Sequence, residues 1–460
     1  MISKIKLAAC ALFLGFSGTA QEVEFIEYEL DNGLDVILHQ DNSAPVVTVG
    51  VMYHVGAKDE EVGRSGFAHF FEHLLFEGTE NIERGEWFNI VGAQGGSNNA
   101  NTTQDRTYYY ETFPSNSLEL GLWMESERML HPVINEIGVE TQNEVVKEEK
   151  RTRVDNAPYG QLIFGMGEFL FDKHPYKSSV IGTMADLDAA ELQEFKDFFK
   201  KYYGPNNAVL VVAGDIDIDD TKEMIKDYFA PIPKGPEVAP VNVKEEPITE
   251  AMVDTTYDSN IQIPLISLVY RTPEMKHKDS YVLNMISTLL TDGKSSRMYE
   301  KMVDNEKQAL QVLAFNNSME DYGMYIIGAL PLGDVPLDTL AASMDEEIEK
   351  LQNELISEKE YQKLQNIYMN QYVNSNSSVQ GIASSLATYH TLYGDTNLIN
   401  EEIDIYQSIT REDIKRVANE YLNDNQRLKL YYLPAPAKDA SVKDTPAKDE
   451  ADNATQTKKQ

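Results

Sequence analysis

The sequence predicts an α+β protein of two similar domains, each an antiparallel-rich sheet packed with helices. Three observations lead there. At 460 residues the chain is too long for one ordinary core. Short β-branched runs bounded by turn residues alternate with longer stretches of helical periodicity. The order of these events repeats on either side of a proline-bearing segment.

The first elements are Phe25 to Leu30 and Leu34 to His39, joined by Asn32-Gly33. Two apolar-rich runs around an Asn-Gly pair predict a hairpin with a type I′ turn. Val46 to Val55 is rich in β-branched residues and predicts a third strand. Gly63 to Phe76 switches to helical spacing. A polar, glycine-containing stretch, Gly92 to Thr103, leads into a strand beginning Thr107-Tyr108-Tyr109-Tyr110. Helices follow over Leu118 to Leu130 and Gly138 to Arg153. Asn207 to Ala213 reads as a buried strand and Lys222 to Phe229 as a helix.

Lys234 to Pro247, with its three prolines and scattered charges, reads as a linker. Beyond it come a strand (Ile263 to Arg271), a helix (Ser280 to Leu290) and a strand (Tyr322 to Leu330). Helices at Leu337 to Leu355 and Glu358 to Val373 and a strand at Arg427 to Leu433 complete the second half. The expected organisation is a leader at 1–20, an α+β domain at 21–234, a linker at 235–247, a second α+β domain at 248–434 and a tail at 435–460. The tail's Lys/Asp/Ala/Pro/Thr composition has too little apolar surface to fold and predicts disorder.

Composition narrows function. Residues 1–20 have a positive start (Lys4, Lys6), a short apolar run and a small-residue site before Gln21, as an export signal does. The expected destination is the periplasm or the medium, with lipid anchoring through Cys10 as the alternative. Cys10 is the single cysteine. Once the leader is removed, disulfides, a cysteine nucleophile and thiolate metal sites are excluded. No other segment has membrane-spanning length. The net charge of −35 excludes nucleic acid as a partner, since phosphate would be repelled.

The chemistry concentrates in Gly66-Phe67-Ala68-His69-Phe70-Phe71-Glu72-His73-Leu74-Leu75-Phe76. On a helix His69 and His73 project from one face, one turn apart, and two imidazoles so placed can share a tetrahedral metal. Glu72 borders that face and is the candidate general base. A catalytic zinc site generally has three protein ligands. The acids in Glu140 to Glu149 supply candidates for the third, and spacing alone leaves Glu144, Glu148 and Glu149 open.

The His-x-x-Glu-His order resembles the inverted zinc motif of the pitrilysin-type (inverzincin, M16) metallopeptidases, which include insulin-degrading enzyme and the mitochondrial processing peptidase. The resemblance covers about residues 24 to 433. It is carried further by Leu30 to Leu34, Gly63 to His69, Phe76-Glu77-Gly78-Thr79, Gly95 to Ala100, Asn156 to Gly160, Asn206 to Asp215 and Gly293 to Arg297. It implies a zinc endopeptidase acting on peptides or unfolded segments inside a closed chamber. The family's third ligand lies about 76 residues beyond the second histidine, which implies Glu149. The acid that often stands seven positions earlier is here Gln142. Substrate is implied to add as a β-strand near Gly95 to Ala100, on the main chain of Asn99 and Ala100, with Phe70, Phe71 and Tyr108 to Tyr110 as candidate pocket residues. Family members with two active-type halves use an Arg and a Tyr, seven apart, from the second half. Met302 to Leu310 contains neither, and Arg297 and Tyr299 lie in another part of that region. The chain also resembles half of a four-domain clamshell. A dimer is therefore expected: a homodimer, or a heterodimer whose zinc-less M16 chain supplies the pair. The alternative function is a non-catalytic, peptide-binding partner subunit.

Overall fold

The computed structural model describes residues 22–436; the expected leader and nearly all of the tail lie outside this span. The α+β architecture of two similar domains is the one the chain adopts. The first sheet has six strands in the order β1-β2-β6-β3-β5-β4. They are β1 (Ile26–Glu29), β2 (Asp35–Gln40), β3 (Val46–Tyr53), β4 (Ser97–Thr102), β5 (Thr107–Pro114) and β6 (Ala208–Gly214). The second sheet has five, in the order β7-β11-β8-β10-β9: β7 (Met252–Asp258), β8 (Leu265–Thr272), β9 (Ala309–Ser318), β10 (Gly323–Pro331) and β11 (Arg427–Pro434). In each sheet one pair is parallel, β2 with β6 and β7 with β11, and the other pairs are antiparallel. Remove β1 and the two sheets have one topology, so the repeated order in the sequence reflects a repeated unit.

The Asn-Gly hairpin forms, but its turn is not type I′. Gly33 alone has positive φ (+85°), and its N–H bonds to Leu30 carbonyl oxygen at 2.8 Å. Asn32 is instead buried, and its side-chain amide donates to the carbonyls of Phe229 and Ile232 (2.8 and 2.9 Å). A tertiary anchor has displaced the local turn preference.

Helices α1 (Phe67–Leu74), α2 (Trp87–Ala93), α3 (Leu118–Leu130) and α4 (Glu136–Lys150), with those at Leu192–Tyr202 and Ile218–Phe229, belong to the first half. Together they cover one face of its sheet. The other face is covered from the second half. Ile382, Ala383, Leu386 and Ala387 of the Val379–Thr388 helix pack on Ile37, Met52, Val209 and Val211. The exchange is reciprocal: Met166, Leu170, Phe171 and Tyr176 of the first half lie on Val269, Ile326, Leu428 and Leu430 of the second sheet. No helix or strand occurs between Phe229 and Met252 among the described residues. The chain thus passes between sheets at the proline-bearing segment, while the cores interlock across it.

The halves also meet at their hairpin turns. Lys58, its side chain 7% exposed, reaches Asp105 of the β4–β5 turn (3.2 Å) and Glu320 and Asp321 of the β9–β10 turn (2.6 and 3.3 Å). Burial works against the Lys58 cation, and the three carboxylates outweigh it. Tyr176 joins the cluster, donating to Asp105 and accepting the Asp321 N–H (3.0 Å).

Candidate metal centre

Helix α1 is eight residues long and two-faced. Phe67, Phe70, Phe71 and Leu74, at i, i+3, i+4 and i+7, are all buried. They pack on Phe195, Phe198 and Tyr203, and the Phe67 and Phe195 rings are parallel at 4.6 Å. At about 1.5–3 kcal/mol per buried side chain, this face contributes roughly 6–12 kcal/mol toward seating so short a helix. Phe70 is therefore core, fully buried against Phe195, and does not line a substrate pocket. Phe71, Tyr108 and Tyr109 are buried as well. Phe71 and Tyr109 belong to the core that seats α1, whereas Tyr108 stacks on Tyr110 and faces the opposite side of the sheet.

Both ends of α1 are held. At the start Gly66 has φ +94°, and a Cβ there would lie 2.8 Å from Ile181 carbonyl oxygen, so glycine is required. The Glu60 carboxylate accepts the N–H groups of Gly66 and Ala68 (2.9 Å each), placing an acid at the positive end of the helix. At the far end Tyr109 donates to Phe71 carbonyl oxygen and Arg128 to Leu75 carbonyl oxygen, each at 2.9 Å. Arg128 is fully buried, paired with Glu111 and Glu125 and packed against the rings of Phe76, Trp87 and Tyr109. Sequence reasoning missed this residue, because a lone arginine on a helix reads as a surface charge.

The opposite face of α1 carries the chemistry. His69 Nε2 and His73 Nε2 lie 3.4 Å apart. Glu149 Oε2, from the last turn of α4, is 3.6 Å from the first and 3.1 Å from the second. One ligand atom from each residue falls within a 4.8 Å span. Of the three acids left open by spacing, Glu144 and Glu148 point to solvent, paired with Lys147 and Arg151. Glu149 lies three residues beyond Val146, which is fully buried, and shares its face. Its second oxygen meets Arg153 at 2.7 Å, in the π-helical turn Arg151–Asp155 that follows α4.

Two imidazole nitrogens and a carboxylate oxygen are a donor set suited to zinc. The two Nε2 atoms and Glu149 Oε2 converge on one another, an arrangement a cation satisfies. His69 Nδ1 is buried without a hydrogen-bond partner. Burial, and then the neighbouring His73, push His69 down to about 4, so its imidazole is neutral and available as a ligand. A hydrogen bond from His73 is the largest influence on Glu149 and holds its carboxyl below the ordinary range, despite partial burial. Burial raises Glu72, offset in part by the hydrogen bond that its Oε2 accepts from Thr102 Oγ1 (2.6 Å). Gln142 does not carry the acid's charge; its amide bonds to Glu77, which also pairs with Arg84.

Asn99 and Ala100 lie on β4, a free edge of the first sheet. Asn99 is exposed, and its side-chain oxygen accepts the Ala100 N–H at 2.9 Å. That donor faces away from β5 and is capped from within the chain. Arg297 is paired with Glu360 at 2.6 Å.

The profile of the insulinase (peptidase family M16) domain matches residues 35–183, and that of the peptidase M16 inactive domain matches residues 189–368. Zinc protease PqqE of Helicobacter pylori is 31% identical over 411 residues, spanning 88% of this chain and 92% of that one. The chain belongs to the insulinase (M16) family of peptidases. A crystal structure of a protease from Helicobacter pylori superposes with a TM-score of 0.85 at 30% identity, over 90% of this chain and 100% of that one. The periplasmic protease PqqL of Escherichia coli shares the fold at a TM-score of 0.74 and 20% identity; 90% of this M16 chain covers 48% of that chain. Among the described residues no helix is long and apolar enough to cross a membrane.

Proposed function

We propose that this M16 protein is a zinc-dependent endopeptidase that hydrolyses peptides or unfolded segments. The observation that carries the reading is the convergence of His69, His73 and Glu149 within 4.8 Å, beside Glu72 and next to a free sheet edge. The three residues hold the metal. Zinc, when bound, supplies a Lewis acid that makes water nucleophilic near neutral pH and polarises the scissile carbonyl. Glu72 takes the water proton and returns it to the leaving amine. The β4 edge pairs with the peptide main chain at Asn99 and Ala100, and the Asn99 side chain gives up its bond to the Ala100 N–H as the peptide enters. The aromatic floor beneath α1 excludes water from the buried side of the site.

The protein works outside the cytoplasm, a reading supported by the character of residues 1–20 and by the periplasmic setting of the similarly folded PqqL. It acts as a paired half unit, as a homodimer or with a zinc-less M16 chain, because Arg297 is occupied and PqqL carries about twice the length in one chain. The test is zinc content and peptide turnover for wild type and Glu72→Gln. The variant is expected to keep its zinc and lose about 10²–10⁴-fold in kcat. Equal turnover by the variant, or a wild type that binds no zinc, overturns the proposal. Full activity of a monomer would overturn the pairing.

A further inference from the structure

The second half of the chain contributes no ligand to the metal centre, yet its β9–β10 turn sits against the β4–β5 turn, and a short chain of contacts leads from there to Glu72. Asp105, 3% exposed, is held by Lys58 at 3.2 Å, by the Glu320 N–H at 3.1 Å and by Tyr176. Within the turn Thr103 N–H bonds Arg106 carbonyl oxygen and Arg106 bonds Asn101 carbonyl oxygen, each at 2.9 Å. Thr102 pairs across the hairpin with Thr107, which is fully buried and donates to Val55 carbonyl oxygen at 2.9 Å. The β4 strand is thus fixed at its Thr102 end. Its other end, Ser97, is exposed and follows Gly95 and Gly96. Thr102 and Ala100 share the face of the strand turned toward α1.

We infer that Thr102 is a positioning residue for the peptidase reaction: its hydroxyl, anchored through the β4–β5 turn to the second half, fixes the Glu72 carboxylate for proton transfer. This rests on the peptidase reading above. A glutamate on a surface of its helix has three side-chain torsions to order, and the helix itself restricts only the first. The 2.6 Å bond engages Oε2 and leaves Oε1 as the oxygen that takes the proton. Thr102 also lies two residues beyond Ala100, so the strand that receives the substrate main chain also holds the base. Substrate and base are thereby registered by one rigid element, and a small misplacement of such groups is costly to rate.

The experiment compares wild type, Thr102→Val and Thr102→Ser as full chains. Valine keeps the shape and strand preference without the hydroxyl; serine keeps the hydroxyl without the methyl. The readouts are kcat, KM, zinc affinity by chelator competition and thermal unfolding. Thr102→Val is expected to lose about tenfold or more in kcat. Its KM and zinc affinity are expected to stay within about threefold of wild type, and Thr102→Ser is expected to recover most of the rate. Wild-type kcat in Thr102→Val overturns the inference. So does an equal loss in the serine variant, or a loss matched by zinc release, either of which marks a structural role. A zinc-loaded wild type that cleaves no peptide overturns the peptidase reading itself, whereas active wild type with an equally active valine variant overturns this inference alone.

Discussion

The two halves build one sheet topology and use it differently. In the first, the connection from β3 to the edge strand β4 contains an eight-residue helix with apolar residues on one face and His69, Glu72 and His73 on the other. In the second, the connection from β8 to β9 contains a fourteen-residue helix, Lys278–Thr291, buried along most of its length. Where α1 meets α4 through His73 and Glu149, the corresponding helices of the second half meet through the hydroxyls of Thr288 and Tyr368, 3.1 Å apart. A hydrogen bond between neutral groups closes that contact without a cation. The sheet is a frame, and chemistry depends on whether the helix beside the edge strand is short and one-sided. The second half gains instead a structural duty: it covers the outer face of the first sheet and clamps its hairpin turn.

The sharpest way to break this division is Glu149→Gln. Zinc affinity is expected to fall by more than the 10–100-fold that loss of a supporting contact costs, while Glu148→Gln, at an exposed position, leaves it unchanged. Chelator competition decides; a Glu149→Gln variant that keeps zinc at wild-type affinity removes α4 from the site. The covering role is tested by Leu386→Ala, which empties a fully buried position on the first sheet. A loss of about 2–5 kcal/mol is expected in denaturant unfolding, with both halves melting in one transition and zinc released with them. Independent unfolding of the second half with zinc retained would dissolve the interlocked core. The smallest effect lies at Arg297. Burial disfavours the Glu360 carboxylate, but bonds from Arg297 and Ser357 prevail and hold it at about 2 rather than 4.5. A depressed carboxyl stabilises the fold above the unfolded-state value, and that contribution drains away as pH falls from about 4.5 to about 2. With partial exposure it is worth about 1 kcal/mol. Arg297→Met is expected to reduce this acid-side dependence, the Ser357 bonds remaining, and to leave zinc content untouched; altered zinc binding would give Arg297 a place in the site after all.

Much of the frame was legible because periodicity is local. The i, i+3, i+4, i+7 run Phe67, Phe70, Phe71, Leu74 marks α1 and its buried face, and the same spacing sets His69 and His73 together. The strand runs at Val46 and Asn207 are rich in apolar residues because both faces are covered. Other elements gave weak signals for physical reasons. β7 (Met252–Asp258) is a mostly exposed edge strand with no apolar alternation, and β9 (Ala309–Ser318) mixes exposed Leu310 and Phe315 with asparagines. Glu149 sits on the buried face of α4 with Val139 and Val146, a pattern readable in principle, yet charged neighbours on every side obscure it. Proximity to the motif assigns Phe70 to a pocket, although the apolar spacing of α1 already puts it on the buried face. Arg128 and the exchanged coverings were out of reach altogether: periodicity shows that a face is apolar, never what will lie on it.

That exchange has a consequence in time. The outer face of the first sheet is closed by residues 382–387, more than three hundred positions after the β2 strand they cover. Such separations slow folding and keep apolar surface in contact with water while the chain waits. The half that carries the metal ligands is therefore completed last, not first, during synthesis. A polypeptide truncated anywhere between Glu149 and the Val379–Thr388 helix would hold every candidate ligand and still lack the wall behind them, so an immature chain has its reactive groups before it has the rigidity to use them.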